Sequence, residues 1–542
     1  MTYEACALAE GKGMKQINRV LLGLSKRAER ASSAQLVASF VDVGSLLASL
    51  TTNDHQVVYG RRGTGKTHVL SKLFADAIDE GHLPVQIDLR TLGSTGGIYS
   101  DPSLPISERA TRLLADLLWA LHDGVLERAI ENESINLASL QPKLDAFRDS
   151  IVEVRVVGEV VESQNTSTTV TSETGGGIAA GLSKMPQMNL NLSTKHGIND
   201  GRAQTRQVSG LLRHRVHFGS VAHALRELAS ILGHRKVWLL LDEWSEIPLD
   251  LQPYLADLLR RTVFPVHGIV AKIAAIEQRT NFRLTLDESS YIGIEVGADA
   301  AASLTLDDFM VFDNNATAAT NFFRSLLWKH VTSSVPEDSE LRRLSENEFS
   351  SNTFTQINAL QELVRAAEGV PRDAINIVSL AAQSAVDRSI SVADIRLAAR
   401  QWYQQSKENA ISARPRATRL LQWIREEVIG ARRARAFLLP SDSKSSLIDY
   451  LYDARVLHVI KKGVSSNDTP GVRYNVYAID YGCYVDLMAT SNAPQGLFQA
   501  ESNQGERYVD VPATDYRSIR RAILDLASFE RSAPGEELER SM

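Results

Sequence analysis

The sequence predicts an α/β fold: a parallel sheet, then a helical region, then a smaller unit mixing helices and strands. Three observations predict it. Val57, Val58 and Tyr59 lead into a glycine-rich turn, a helical pattern and a second apolar run over 85–89, which is the order of a βαβ unit. A fully apolar run over 237–241 ends in two carboxylates, Asp242 and Glu243. From 316 to 405 the apolar spacing turns helical, and 416–490 alternates between helical and strand periods.

Composition limits the alternatives. With 542 residues, 44% of them apolar, the chain has ample core material, and at roughly 150 residues per domain it suggests three or four domains. The formal net charge of −6 argues against wholesale coating of nucleic acid but not against one basic region. No run approaches the ~18 apolar residues of a membrane span. The first twenty residues lack a basic segment followed by an apolar one, so no secretory leader is expected. Two cysteines, Cys6 and Cys483, are too few for a disulfide framework or a cysteine zinc site. A cytoplasmic protein without membrane partners is the expectation.

The elements follow in order. Residues 1–50 read as a helical lead-in carrying Leu36, Val37, Phe40 and Val41. Val69, Leu70, Leu73, Phe74, Ala77 and Ile78 recur at helical spacing, stopped by Gly81. A further helix is expected over 106–130. Residues 151–161 alternate like a strand, and 163–200 are rich in Ser, Thr, Asn and Gly, so 131–215 reads as an insertion with a flexible loop, a linker or a pore or substrate loop. The sheet resumes at 237–241 and 269–276, with a next strand expected over 291–296. The predicted organisation is a core over 51–315, a helical region over 316–410, a mixed unit over 411–490 and a tail over 491–542.

The chemistry centres on Gly60-Arg61-Arg62-Gly63-Thr64-Gly65-Lys66-Thr67, which matches the phosphate loop G-x-x-x-x-G-K-[ST]. Glycines let the chain curl so that successive amides face phosphate oxygens, and the helix that follows, through His68, adds its positive end. Lys66 reaches the β and γ phosphates, and the Thr67 hydroxyl ligates Mg²⁺. Asp242, at the tip of a buried strand, completes the magnesium shell, and Glu243 polarises the attacking water. ATP and Mg²⁺ are the implied ligands. Two carboxylates at one strand tip suit hydrolysis better than transfer to an alcohol, which places an ATPase ahead of a kinase.

Gly60–Thr67, Asp242 and Glu243, with the later Gly369-Val370-Pro371-Arg372, together resemble the AAA+ ATPases, and more narrowly the origin-recognition-complex and archaeal replication-initiator branch, close to the STAND signalling ATPases. The resemblance implies a P-loop core with a helical lid over 316–410 and a winged helix over 411–490. It also implies that Arg372, as sensor 2, reads the γ phosphate. Sensor 1 is blurred here: the strand ends Ala274-Ala275-Ile276-Glu277-Gln278-Arg279-Thr280, and Gln278 is the nominee. Arg279 and Arg283 are candidates for an arginine finger acting on a neighbouring copy, hence ATP-dependent self-association.

Residues 414–473 hold twelve basic and six acidic residues, a local excess that suits phosphate-backbone contact. Arg432, Arg433, Arg435, Lys461 and Lys462 are the candidate DNA contacts. The helix expected over 444–458 carries Asp449 and Asp453, poor chemistry for a major groove, so protein docking stands beside DNA binding. His214, His217 and His223 lack the cysteines or clustered acids of a zinc site. The functional expectation is an ATP-hydrolysing switch that self-associates and engages double-stranded DNA or a partner protein, in genome maintenance or anti-phage defence. The alternative is a scaffold that docks a separate effector protein and binds no DNA.

Overall fold

The computed structural model describes residues 14–42, 46–92, 99, 101, 103–151, 153–157, 160–163, 205–208, 211–287, 290–307, 315–431, 436–443, 445–465, 471–488, 499–500, 508–509 and 523–532. Its centre is a five-stranded sheet. In chain order the strands are β1 (Gln56–Tyr59), β2 (Leu83–Asp88), β3 (Val237–Asp242), β4 (Ile269–Ala275) and β5 (Ala301–Thr305), and across the sheet they run β5-β1-β4-β3-β2. Every pairing is parallel, with Val57 beside Ile273, Leu239 beside Ala271 and Asp88 beside Asp242.

The two-residue period of the strands explains why both faces are covered. Val58, Leu240, Val270 and Ala274 face one apolar cluster, while Val57, Val85, Ile87, Leu239, Leu241 and Ile273 face another. The second cluster is closed by α4 (Ile106–Glu131), α5 (Leu137–Ile151) and α6 (Phe218–Leu232), and the first by α3 (Lys66–Asp79) and by helices from both ends of the described chain. Among these are α1 (Gln16–Gly23) and α2 (Ser33–Ser39), the latter started by a reciprocal Ser32–Gln35 capping box.

The lid-like helices begin with α7 (Ala316–Ser334) and include α8 (Pro371–Ala385), whose first residue is a proline with φ already suited to a helix start. The amide of Lys15 and the side chain of Asn18 donate to the Val386 carbonyl at 3.0 Å each, which fastens α1 to the end of α8. Beyond lie α9 (Pro415–Ile424), strand β6 (Ala436–Pro440), α10 (Ser446–Asp453) and the hairpin β7 (Leu457–Ser465) and β8 (Arg473–Ile479). These three strands pair antiparallel in the order β6-β8-β7. α1, Phe40 after α2, the helices from α7 to α8 and this C-terminal unit share one continuous apolar cluster, including Ile17, Phe323, Leu363, Val378, Leu420 and Leu451.

Four local differences from the expectations have physical reasons. The strand expected over 291–296 is a short run, Tyr291–Gly293, paired antiparallel with Arg283–Thr285 outside the main sheet, and β5 takes the edge position instead. Residues 137–151, inside the expected insertion, form α5, which buries Leu140, Leu144, Phe147 and Ile151 against the core. Residues 151–161 divide into the end of α5 and two strands, Glu153–Val157 and Val160–Ser163, which pair with Leu211–Arg215 and Thr205–Val208. The helix expected over 444–458 is shorter, because Ala454 and Arg455 end it and His458 belongs to β7. The loop over 164–204 and the tail over 533–542 lie outside the described residues. No helix among the described residues is long and apolar enough to cross a membrane.

Candidate functional site

The loop over Gly60–Thr67 leaves the C-terminal end of β1, where the strand order reverses and open α/β sheets hold ligands. Its curl needs residues at positive φ: Gly63 stands at +89° and Gly65, the residue before α3, at +98°. Gly63 has a second constraint, since a Cβ there would lie 2.7 Å from the Cβ of Arg372. The Gly60 amide donates to the Ala275 carbonyl at 3.1 Å, which ties the loop to β4.

Lys66 is buried, and its Nζ donates to the loop's own carbonyls, Gly60 O at 2.8 Å and Arg61 O at 3.1 Å. Burial lowers its pKa, opposed by the negative charges of Glu243 and Asp242. Asp242 is buried at the tip of β3. Burial raises its pKa, against a hydrogen bond from the Thr67 hydroxyl and one from the Glu243 amide at 2.8 Å. Glu243 sits at φ +56°, a left-handed backbone unusual for a residue with a side chain, and Arg90 Nη1 lies 3.8 Å from its carboxylate. Burial, and then the neighbouring Asp242 charge, raise the Glu243 pKa.

Arg372, in the first turn of α8, reaches the same loop. Its amide donates to the Gly63 carbonyl at 3.1 Å, and its charge contributes to the lowering of the Lys66 pKa. Arg62 through Val69, Arg90, Glu243, Glu246 and Arg372 line a cavity of about 1020 Å³, while Asp242 sits behind Thr67 outside the lining. Leu36, Phe40 and Val41 of the lead-in and Phe322, Leu326 and His330 of α7 line the same cavity. His68, in the first turn of α3, touches both the lead-in and α7: its Nε2 hydrogen-bonds the Leu36 carbonyl, and its ring meets those of Phe40 and His330 edge-on.

The structure therefore brings together Lys66, Thr67, Asp242, Glu243 and Arg372, with Arg62, Gly63, Thr64, Gly65 and His68 lining the same space. Other nominees lie elsewhere. Arg61 turns its side chain away from the cavity and is buried, so it is not placed to touch a phosphate with its guanidinium. Gln278, in the single turn after β4, does not line the cavity. Arg279 is engaged within its own chain, Nη1 lying 3.4 Å from Asp453 and 3.9 Å from Glu246. Arg283 pairs with Glu295 at 3.4 Å and covers the Tyr291 ring. Lys461 and Lys462 are exposed on β7, Lys462 pairing with Glu277 at 2.7 Å. Arg432, Arg433 and Arg435 lie outside the described residues.

His217 caps α6, accepting from the Ser220 amide, and His223 is exposed. Among the described residues no group of three or more His, Cys, Asp or Glu forms a metal cluster. Sequence reasoning missed the cavity's far wall. Phe40 and Val41 carried an apolar signal, but nothing near His330 marks it as a cavity residue.

Residues 24–81 match a family model described as ORC-CDC6-like. No curated protein matches the chain. Among solved structures, Cdc6p from Pyrobaculum aerophilum aligns at 12% identity and a TM-score of 0.30, covering 84% of this chain and 96% of that one. The Orc1 protein of Aeropyrum pernix in complex with DNA aligns at 13% identity and a TM-score of 0.28, covering 87% and 96%. Over the stretch that carries its phosphate loop, this chain is similar to the ORC-CDC6-like family.

Proposed function

We propose that this chain is an ATP-binding and ATP-hydrolysing switch. The observation that carries the reading is that Lys66, Thr67 and Glu243 line a cavity large enough for a nucleotide, with Asp242 hydrogen-bonded to Thr67 behind them. Gly63 and Gly65 turn the loop so that its amides face the cavity, and Lys66 exchanges the loop carbonyls for β- and γ-phosphate oxygens. Thr67 and Asp242, already hydrogen-bonded to each other, hold Mg²⁺. Bound Mg²⁺ supplies charge neutralisation across the β and γ phosphates. Glu243, its pKa raised by burial and the Asp242 charge, accepts the proton of the attacking water. Arg372 contacts the γ phosphate from the lid, and the purine lies between the lead-in and α7 near Phe40 and Phe322.

The output is engagement of DNA or a partner protein through 411–490. The order α9, β6, α10, β7, β8 is that of a winged helix with a single helix between β6 and the hairpin. The basic excess over 414–473 supports contact with a polyanion such as duplex DNA. One observation favours the second reading, docking of a separate effector: α10 turns Tyr452 and Asp453 inward onto the phosphate loop instead of presenting them to a groove.

The test is calorimetric titration with Mg·ATP and a turnover assay, with and without duplex DNA, read alongside oligomeric mass. Micromolar binding with DNA-stimulated, salt-sensitive turnover supports the first reading. Slow turnover indifferent to DNA, with a nucleotide-dependent change in mass, supports the second. No heat on titration overturns both.

A further inference from the structure

Arg61 is the second residue of the phosphate loop, yet all of its side-chain contacts point away from the cavity. It is 2% exposed. Nε donates to Asp307 Oδ1 at 2.8 Å, and the Arg61 amide donates to Asp307 Oδ2 at 3.0 Å, just beyond β5. Nη2 donates to the Glu368 carbonyl at 3.0 Å, in the turn before α8. Nη1 donates to Nδ1 of His458 on β7, and the guanidinium lies 5.2 Å from the Tyr452 ring centre on α10.

The contact continues inward. Because His458 Nδ1 accepts from an arginine, its proton sits on Nε2, which donates to Asp480 at 3.2 Å. Burial first, and the Arg61 charge second, press the His458 pKa down to about 3, so the ring stays a neutral acceptor. Asp480 pairs with Lys407 Nζ at 2.5 Å, and Lys407 pairs with Asp373 at 2.9 Å. Asp373 also pairs with Arg455 and follows Arg372 directly in sequence. Arg61, Lys407 and Arg455 thus face Asp307, Asp373 and Asp480, three cations against three carboxylates, almost wholly removed from water. A buried set of this kind is better suited to holding one arrangement than to adding stability. At its rim Arg62 pairs with Glu246 at 2.6 Å and approaches Asp453 at 3.9 Å.

We propose that Arg61 is a positioning residue that couples the nucleotide site to the C-terminal unit: docking of residues 446–465 and 471–479 sets the phosphate loop, and occupation of the loop holds those residues in place. The inference rests on the nucleotide reading above. The coupling is reciprocal, because a contact that helps the loop bind must be strengthened by that binding in equal measure. Arg61 spans three other parts of the fold at once, and no single neighbour can release it without leaving a buried donor unpaired.

The experiment is hydrogen exchange on the full chain, with and without a slowly hydrolysed ATP analogue and Mg²⁺. In the wild type, saturation should slow exchange across 446–465 and 471–479 at least tenfold, together with protection of 60–68. In Arg61→Met, higher analogue concentration should still protect 60–68 while the slowing over those two segments disappears. Should that variant fail to fold, His458→Leu should lose the slowing and His458→Gln, which keeps an acceptor for Arg61 and a donor for Asp480, should restore it. Protection of 60–68 with no change over the two segments in the wild type overturns the coupling alone, as does full coupling in Arg61→Met or His458→Leu. Absence of protection over 60–68 overturns the nucleotide reading, and the coupling with it.

Discussion

The amide of Arg372 donates to the carbonyl of Gly63 at 3.1 Å, so the first turn of α8 and the crest of the glycine loop share a hydrogen bond. The side chain of residue 63 and that of Arg372 compete for the same space, and only hydrogen at Cα satisfies both. Gly63→Ala would add a Cβ at φ +89°, 2.7 Å from the Arg372 Cβ. The expected outcome is a loss of about 1–3 kcal/mol of stability and at least a tenfold loss of ATP affinity, measured by thermal unfolding and calorimetry.

Lys66 and Glu243 separate binding from chemistry. Lys66→Ala removes the cation that meets the phosphates and should abolish ATP binding in calorimetry. Glu243→Gln keeps shape and removes proton acceptance, so binding should persist while turnover falls by about 10²–10⁴-fold. Wild-type hydrolysis by Glu243→Gln would remove Glu243 from its role.

Two buried histidines give stability a pH dependence. Burial lowers His330 to about 4 and His458 to about 3, both below the 6.5 of an exposed imidazole. The unfolded chain therefore takes up these protons first as pH falls. Stability is full above about pH 6.5 and declines below it, by about 2 kcal/mol per histidine at pH 5. Asp373 and Asp480, with lowered pKa values, keep their contribution until pH falls below the ordinary carboxylate range. Denaturant titrations at pH 7 and pH 5 should show the decline, and His330→Leu should reduce it by about 2 kcal/mol whatever its offset at pH 7.

The rim pairs should behave differently from the buried set. Asp453 lies 3.4 Å from Arg279 and 3.9 Å from Arg62, both of which reach solvent. Asp453→Asn should cost less than about 1 kcal/mol at low salt. The cost should vanish in 1 M salt, where the Debye length is about 3 Å. Urea titration at two ionic strengths measures both.

The phosphate loop and the β3 tip were legible because their chemistry demands particular residues at particular spacings. Glycine is required where φ is positive, as at Gly63 and Gly65, and the two carboxylates follow a run of five apolar residues. β5 was not legible. Ala301-Ala302-Ser303-Leu304-Thr305 lacks the bulk that marks a strand, whereas Tyr291-Ile292-Gly293 has it and pairs elsewhere. α5 was hidden by its polar residues and Pro142, though its Leu140, Leu144, Phe147 and Ile151 recur at helical spacing. The direction of Arg61 could not be read at all, because its partners Asp307, Glu368 and His458 are distant in sequence, the last by 397 positions.

The apolar cluster that joins α1, Phe40, α7, α8 and the C-terminal unit has a consequence for dissection of the chain. Trimming away the first fifty residues would uncover the faces of Phe323 and Val378 and strip Leu36 and Phe40 from the cavity wall. Excision after residue 315 would remove Arg372 and leave Arg61 with only Asp307. A piece cut at the end of β8 would lose Asp480, the partner of Lys407 and His458, and would strip Tyr481, Tyr484, Leu524 and Phe529 from the same cluster, so isolation of the cavity calls for nearly the whole described chain.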